Sequence, residues 1–376
     1  MTTSLPAYSL QNPFPWYAAL RAAAPVMRDP QSGMWMVFDY AGVQRTLSDW
    51  KMFSSQRGRP QGKDAEHALS TSLISTDPPR HRQLRSLVEQ AFTPRQVRAL
   101  EPRIAELVDE LLSAVQGTGG MDFIRDFAYP LPVIVIAEIL GIPASDRDAF
   151  KRWSDAVVTG DPSGSREMGA YFARLIEQRR VEPGDDLISG LIAAQLEGEH
   201  LDTQELLGFC ILLLVAGNET TTNLLANTLL CWQDAPDAHA QVLADRALLP
   251  GTIEESLRFR SPVQSMFRVA AQDVELGGQL IPEGSPVLAW IGAANCDPAQ
   301  FPDAGTFDPA RTPNRHLAFG NGIHFCLGAP LARLEASVAL GAVLDRLTNL
   351  RVVDTPLEPI PSQIVYGVKS LPVTFG

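Results

Sequence analysis

The chain is poor in cysteine. Four stand in 376 residues, at positions 210, 231, 296 and 326. No two form a C-x-x-C pair, so neither a zinc ribbon nor a disulfide framework is indicated. The thiols fit a reducing compartment. Positive charge is also short. Thirty-one Lys and Arg face 43 Asp and Glu, a net charge of −12, where a nucleic-acid binder needs the opposite balance. Long apolar runs are missing as well. The longest, Phe209 to Gly217, is about half of the roughly 20 residues that a bilayer span needs. Met1 to Leu20 holds prolines and polar residues but no basic n-region of a secretory signal. A cytoplasmic protein with no membrane span and no nucleic-acid partner is the expectation. Internal repeats and low-complexity tracts are absent too.

What is present supports a large folded body. Apolar residues make up 45% of the chain, enough for a sizeable core. Helical spacing of apolar residues marks Pro15–Ala24, Tyr40–Leu47, His81–Phe92, Pro94–Val115, Leu131–Leu140, Ala144–Val158, Arg166–Arg180 and Asp186–Leu196. A long helix is expected from Thr203 to Leu230. Ser54–Thr76 reads as loop. Gly160–Ser165 reads as a loop too, and as part of a mobile lid. Met34–Phe38, Phe267–Ala270 and Pro286–Ile291 read as strands. Val274–Leu276 and Gln279–Ile281 flank Gly277-Gly278, a two-residue hairpin signal. The count favours a mainly α protein with a smaller β portion. We read residues 1–376 as one domain, with β-rich parts near 30–50 and 265–295.

The stretch His316 to Leu334, HLAFGNGIHFCLGAPLARL, is the most informative. A lone cysteine is usually a small buried hydrophobe, but Cys326 does not stand alone. Gly320 and Gly322 precede it and Gly328 follows. Phe319 heads the run, and His324 lies two residues before the sulfur. Pro330 is tolerated in a helix's first turn, so a helix is expected to begin just past Cys326. Its N-terminus would favour thiolate over thiol. The glycines let backbone turn toward the sulfur and let a flat ring approach. A thiolate so placed suits haem iron.

Phe-Gly-x-Gly-x-His-x-Cys-x-Gly matches without a gap the haem-ligand loop of the cytochrome P450 family. Phe319, Gly320, Gly322, His324, Cys326 and Gly328 fill its six positions. The resemblance runs from Asn12-Pro13-Phe14-Pro15 to Leu371-Pro372-Val373. It implies the family's fold, with haem b between two helices and Cys326 as the iron ligand.

Other motifs follow in the family's order. Ala216-Gly217-Asn218-Glu219-Thr220-Thr221-Thr222 lies mid-way along the expected long helix. Glycine costs about 1 kcal/mol there relative to alanine, and β-branched residues add more. As an amphipathic polar face the segment is odd, because Glu219 follows a continuous apolar run. Threonine hydroxyls can bond a carbonyl one turn back and bend a helix. The segment resembles the family's acid–alcohol motif, with glutamate for the commoner aspartate. By that resemblance Ala216 and Gly217 lie beside the haem, Thr220 steadies bound dioxygen, and Glu219 helps deliver protons. Glu255 and Arg258 share one helix face. As a surface pair they would mean little. By resemblance they are buried and joined by Arg311 of Phe307-Asp308-Pro309-Ala310-Arg311, a structural network for the cysteine loop.

Haem propionates need cationic partners. The resemblance supplies His81 and Arg85 from Asp77-Pro78-Pro79-Arg80-His81, then Arg268, then His316 with His324 nearby. Each histidine by itself is more often a satisfied core or solvated residue. The chain departs from the family at Asn295-Cys296-Asp297-Pro298, where arginine is common at the second position. That puts a nearby ion pair in doubt.

The resulting expectation is a cytoplasmic haem-thiolate monooxygenase, an oxidoreductase that uses dioxygen and electrons from a separate ferredoxin and ferredoxin reductase. Arg80, Arg82, Arg95 and Arg98 are candidates for donor docking. The substrate side reads as Ala68–Ser75, Leu213–Gly217, Pro262–Phe267 and Ile364–Tyr366. These runs are mostly apolar, so a lipophilic small molecule is expected. The rivals are a peroxygenase driven by hydrogen peroxide and a non-catalytic haem-binding gas sensor. The Glu219–Thr220 pair argues against the first, and the lack of a signalling module against the second.

Overall fold

The computed structural model describes residues 7–56, 72–146, 149–150, 152–153, 162–194, 198 and 200–376. These group into two compact units, each assembled from separated segments. One comprises Met1–Ser54, Ala105–Ala128 and Thr220–Gly376; the other comprises Ser55–Ile104 and Tyr129–Glu219.

All the strands among the described residues belong to the first unit. Its main sheet has five strands in the order Val26–Arg28, Trp35–Val37, Pro286–Ala289, Met266–Ala270, Phe53–Ser54. Trp35–Val37 pairs with Pro286–Ala289 in parallel; every other pairing is antiparallel. The sheet packs on Tyr40–Ser48, whose N-cap Asp39 accepts from the Gly42 N–H. Val43, Leu47, Phe53, Ile281, Val287 and Ala289 form the core between them. Val274–Leu276 and Gln279–Ile281 pair as a hairpin around Gly277 and Gly278, both at positive φ. Gly120–Asp122, Pro372–Thr374 and Arg351–Val352 make a small second sheet.

The second unit is helical. Arg80–Ala91 packs on Leu187–Ala193, and that helix packs on Pro162–Val181. A Cβ on Gly190 would sit 3.4 Å from the Ala91 Cβ, so the missing side chain permits the close crossing.

Two expected elements differ. Pro94–Val115 is split into Pro94–Ala99 and Glu101–Val115. Pro102 has no N–H to continue the hydrogen-bond ladder, and the chain restarts with that proline in the first turn. Thr93 and Gln96 close a capping box on the shorter piece. The second difference is Gly160–Ser165. Pro162 to Ser165 form the first turn of the Pro162–Val181 helix, so the loop reading does not hold for them. Proline pre-sets φ at a helix start, and serine and glycine are tolerated where N–H groups lack intrahelical acceptors. Gly160 and Asp161, most of Ser54–Thr76 and most of Ala144–Val158 lie outside the described residues.

Thr203–Asp234 is one uninterrupted helix, four residues longer than expected and with no break at its Gly-Asn-Glu-Thr segment. By length and composition it could cross a bilayer, but 61% of its most apolar window is buried inside the protein.

Candidate active site

The Cys326 loop is shaped by its own backbone. The Cys326 N–H donates to the Phe319 carbonyl at 2.8 Å, and the Phe325 N–H to the Gly322 carbonyl at 3.1 Å. Gly320 and Gly322 have φ of +75° and +74°, values that side chains resist. Gly322 carries a second constraint: a Cβ there would lie 2.6 Å from the Ser48 Cα. Its lack of a side chain therefore serves the contact with the Tyr40–Ser48 helix. Ala329–Arg346 follows as a helix capped by Gly328, with Pro330 in its first turn.

This setting separates Cys326 from the other thiols. Burial pushes Cys210 and Cys231 up to about 12 and half-buried Cys296 to about 11. Such thiols stay protonated and inert. Cys326 is exposed beside a helix N-terminus, the placement that favours thiolate.

Polar contacts from distant parts of the first unit hold the loop. Glu255 and Arg258 are both fully buried and meet in a forked pair, at 2.8 and 2.7 Å. Arg311 Nε reaches Glu255 at 3.1 Å. The Asp308 N–H and the Asn314 amide donate to the same carboxylate at 3.0 Å each. Arg258 spends its remaining donors on the carbonyls of Asn295, Ala304 and Thr306. The buried network read from the sequence is therefore present. Two further anchors were not read there. Asn295 accepts from the Leu317 N–H at 2.7 Å. Glu254 binds Arg333 through both oxygens, at 2.6 and 2.9 Å, and meets His316 Nε2 at 3.0 Å. Adjacency to Glu255 was the only available signal for Glu254.

The middle of the long helix differs from its surroundings. Ala216 is exposed there, although Cys210, Ile211 and Leu214 before it and Thr221 to Leu225 after it are buried. A Cβ on Gly217 would stand 2.7 Å from Ile136 Cδ1, so glycine permits close packing. Glu219 and Thr220 are half-buried. Burial pushes the Glu219 carboxyl above its ordinary range, because desolvation disfavours the charged form. Thr221 is 3% exposed, turned from Thr220 by the helical step of about 100°. Thr222 donates to the Ala128 carbonyl at 3.2 Å.

Comparison with known proteins agrees with this geometry. The family description Cytochrome P450 matches residues 168–373. Cytochrome P450 109 of Bacillus spizizenii is 44% identical, over 96% of this chain and 91% of its own length. The cytochrome P450 monooxygenase PikC of Streptomyces venezuelae is 42% identical over the same shares. The substrate-free crystal structure of CYP109E1 from Bacillus megaterium superposes with a TM-score of 0.94 at 44% identity, covering 97% of this chain and 99% of that one.

This chain belongs to the cytochrome P450 family. It is an oxidoreductase with the P450 fold, and its cofactor is haem. The residues present fit that group. Phe325 is 42% exposed next to exposed Cys326. A flat apolar ring would cover such positions. Among the described residues no cluster of His, Cys, Asp and Glu could hold a bare metal ion.

The expected propionate partners of this P450 fall in both units. Arg268 is buried on the Met266–Ala270 strand and donates to the Phe267 carbonyl at 2.8 Å. His81 is buried in the Arg80–Ala91 helix. Arg85, in the same helix, donates from Nε to Glu89 at 2.7 Å. His324 is half-buried within the loop. His316 is engaged on both sides of its ring. Its Nδ1 accepts from the Ala318 N–H at 3.3 Å, so Nε2 carries the proton given to Glu254. Both ring nitrogens serve the loop's own framework, and a propionate would have to displace one contact. Arg80 is likewise committed, since it pairs with Glu205 at 2.5 Å. Arg82, Arg95 and Arg98 are exposed. The ion pair put in doubt by Cys296 is met by another arginine: Arg21 lies 3.7 Å from Asp297.

On the substrate side, two expected runs come together. Val263 bridges Val365, the Gln264 N–H donates to Ile364, and the Tyr366 N–H donates to Pro262. Residues 68–71 of the first expected run lie outside the described residues.

Proposed function

We propose that this P450 is a cytoplasmic monooxygenase acting on a lipophilic small molecule, with dioxygen as oxidant and two electrons from a separate ferredoxin and ferredoxin reductase. One oxygen atom enters a C–H or C=C bond, and the other leaves as water with two protons. Haem, when bound, supplies the site of dioxygen activation. Cys326 would hold its iron as thiolate. Arg268, His81 and Arg85 would face its propionates, with His324 near the same edge. Phe319, Gly320 and Gly328 would lie along the ring.

The observation that carries this reading is the Glu219–Thr220 pair midway along the Thr203–Asp234 helix, shortly after the apolar run Phe209–Val215. Burial holds the Glu219 carboxyl up in pKa, which suits a group that takes a proton and passes it inward. The Thr220 hydroxyl both donates and accepts, so it can hold an ordered water in line with that carboxyl. A peroxide-driven enzyme needs no such delivery, because peroxide brings its own protons and electrons.

The relatives narrow the substrate class. The same CYP109E1 is known in complex with testosterone and with corticosterone. Other relatives are a vitamin D(3) 25-hydroxylase and a 6-deoxyerythronolide B hydroxylase. The paired runs 262–266 and 364–366, rich in Val, Met, Ile and Tyr, support a bulky alicyclic substrate such as a steroid or macrolide. The test is a spin-state titration of the haem-loaded protein with steroids, macrolides and fatty acids. Turnover of the binders follows, with a ferredoxin–reductase pair or with peroxide. Product only in the ferredoxin arm is expected. Equal or better turnover with peroxide would overturn the oxidant assignment, and binding confined to fatty acids the substrate class.

A further inference from the structure

We infer that Glu254 and Arg333 are a positioning pair for the cysteine thiolate, which joins the two flanks of the Cys326 loop and holds a cation over the ring at its head. The inference rests on Cys326 being the iron ligand. Glu254 projects from the Leu249–Phe259 helix. One oxygen takes Arg333 Nε at 2.6 Å; the other takes Arg333 Nη2 at 2.9 Å and His316 Nε2 at 3.0 Å. His316 precedes the loop and Arg333 follows it, so one carboxylate closes the segment with Cys326 between its ends.

The Arg333 guanidinium carbon stands 4.5 Å from the Phe319 ring centroid, well inside cation–π range. Phe319 in turn accepts the Cys326 N–H through its carbonyl. Cation, ring and thiol-bearing residue thus form a continuous line of contact. The forked geometry fixes the guanidinium plane in a way that a single contact would not. Burial works to raise the Glu254 carboxyl, but the hydrogen bonds of Arg333 and His316 and the charge of Arg333 outweigh it and hold the group at about 2. The pair is therefore ionised throughout the working range. Arg246–Asp345, near the far end of the same Ala329–Arg346 helix, is the contrast: a single 3.1 Å contact with both partners more exposed.

The consequence is electrostatic as well as mechanical. A cation near the sulfur favours the reduced, more negative state of the iron–thiolate unit, and an anion opposes it. Arg333 and Glu254 balance each other, so removing either leaves the other's charge uncompensated. Loss of such outer contacts typically costs 10–100-fold in affinity for the metal group.

The test uses the full-length haem-loaded protein as Glu254→Gln, Arg333→Gln and Arg333→Lys, with Arg246→Gln as control. Three quantities are read: the midpoint potential, the rate of haem transfer to an apo-acceptor protein, and the reduced carbon monoxide band. The potential should rise in Glu254→Gln and fall in Arg333→Gln. Arg333→Lys keeps the charge but loses the fork, so its potential should stay near wild type. Haem loss should be about 10-fold faster or more in all three and unchanged in Arg246→Gln. Potentials that stay put, or shift in the same direction in both glutamine variants, would reduce the pair to scaffolding and overturn the inference. Haem loss no faster than in the control would overturn it as well. The carbon monoxide band keeps the two readings apart: its retention with unmoved potentials sinks only the pair, whereas its absence in wild type sinks the Cys326 assignment itself.

Discussion

The Cys326 loop and the Ala216–Thr222 segment, the two parts of the proposed site, are built in contrasting ways. The loop has almost no regular structure, and its shape comes from positive-φ glycines and from side chains far away in sequence, Asn295, Glu254 and Glu255. The helix segment keeps regular backbone geometry from Thr203 to Asp234, and its chemistry lies in which side chains its turns present. A loop held by long-range polar contacts fails as a unit when one contact is lost. A regular helix tolerates a side-chain change and alters only what that side chain does. Substitutions in the loop and its anchors should therefore decide whether haem is held. Substitutions in the helix should decide how well bound oxygen is used.

The sharpest break is Cys326→Ala. It should abolish the red-shifted band of the reduced carbon monoxide complex, because a nitrogen or water ligand cannot donate as thiolate does. Cys210→Ala and Cys231→Ala should keep the band. A thiolate-type spectrum in Cys326→Ala would remove the loop from the chemistry altogether.

Next come the anchors. Glu255 and Arg258 are fully buried, and leaving one of such a pair without its partner typically costs ~3–5 kcal/mol. Arg258→Ala should yield little haem-loaded protein and a much lower melting temperature. Normal haem content would show that the loop keeps its shape without its anchors, and the contrast with the helix would collapse.

Thr220→Ala tests the other side. Haem binding and substrate affinity should stay near normal while product per electron pair falls and hydrogen peroxide rises. Buried Thr221, on another face, should have a smaller effect when changed to alanine. If Thr220→Ala couples as well as wild type, proton delivery does not run through this segment.

The last test is one of pH dependence and concerns Glu335, on the helix that leaves the loop. It is 2% exposed, and one carboxyl oxygen lacks a hydrogen-bond partner. Burial raises its pKa from 4.5 to about 8. A carboxyl raised in the folded state keeps its proton after the unfolded chain has lost its own. Its stabilising contribution is complete below about 4.5, declines as pH rises, and is gone above about 8, by on the order of 1 kcal/mol per pH unit. Glu335→Gln should flatten that decline in melting temperature between pH 5 and 8. Parallel curves for the two proteins would mean that the carboxyl is ionised in the fold.

Most of the site was legible because its signals are local. The six residues from Phe319 to Gly328, the Glu219–Thr220 pair and the Glu255–Arg258 spacing each lie within a few turns of chain. The Gly277-Gly278 hairpin was legible for the same reason. Composition misled at Pro162–Ser165, where turn-forming residues also suit a helix start, and at Pro94–Val115, where Pro102 ends one helix and opens another.

Chain order alone determined the class of protein, and it singled out Cys326 as the proposed iron ligand and Glu219–Thr220 as the proposed acid–alcohol pair, since those readings depend on residue type at short spacing. Tertiary structure decided what holds them. The parallel pairing of Trp35–Val37 with Pro286–Ala289, the Gly322–Ser48 approach and the Glu254–Arg333–His316 junction join residues far apart in sequence. No local propensity encodes such contacts. They form because burying the apolar faces of the sheet and helices brings those segments together, and buried polar groups must then find partners there.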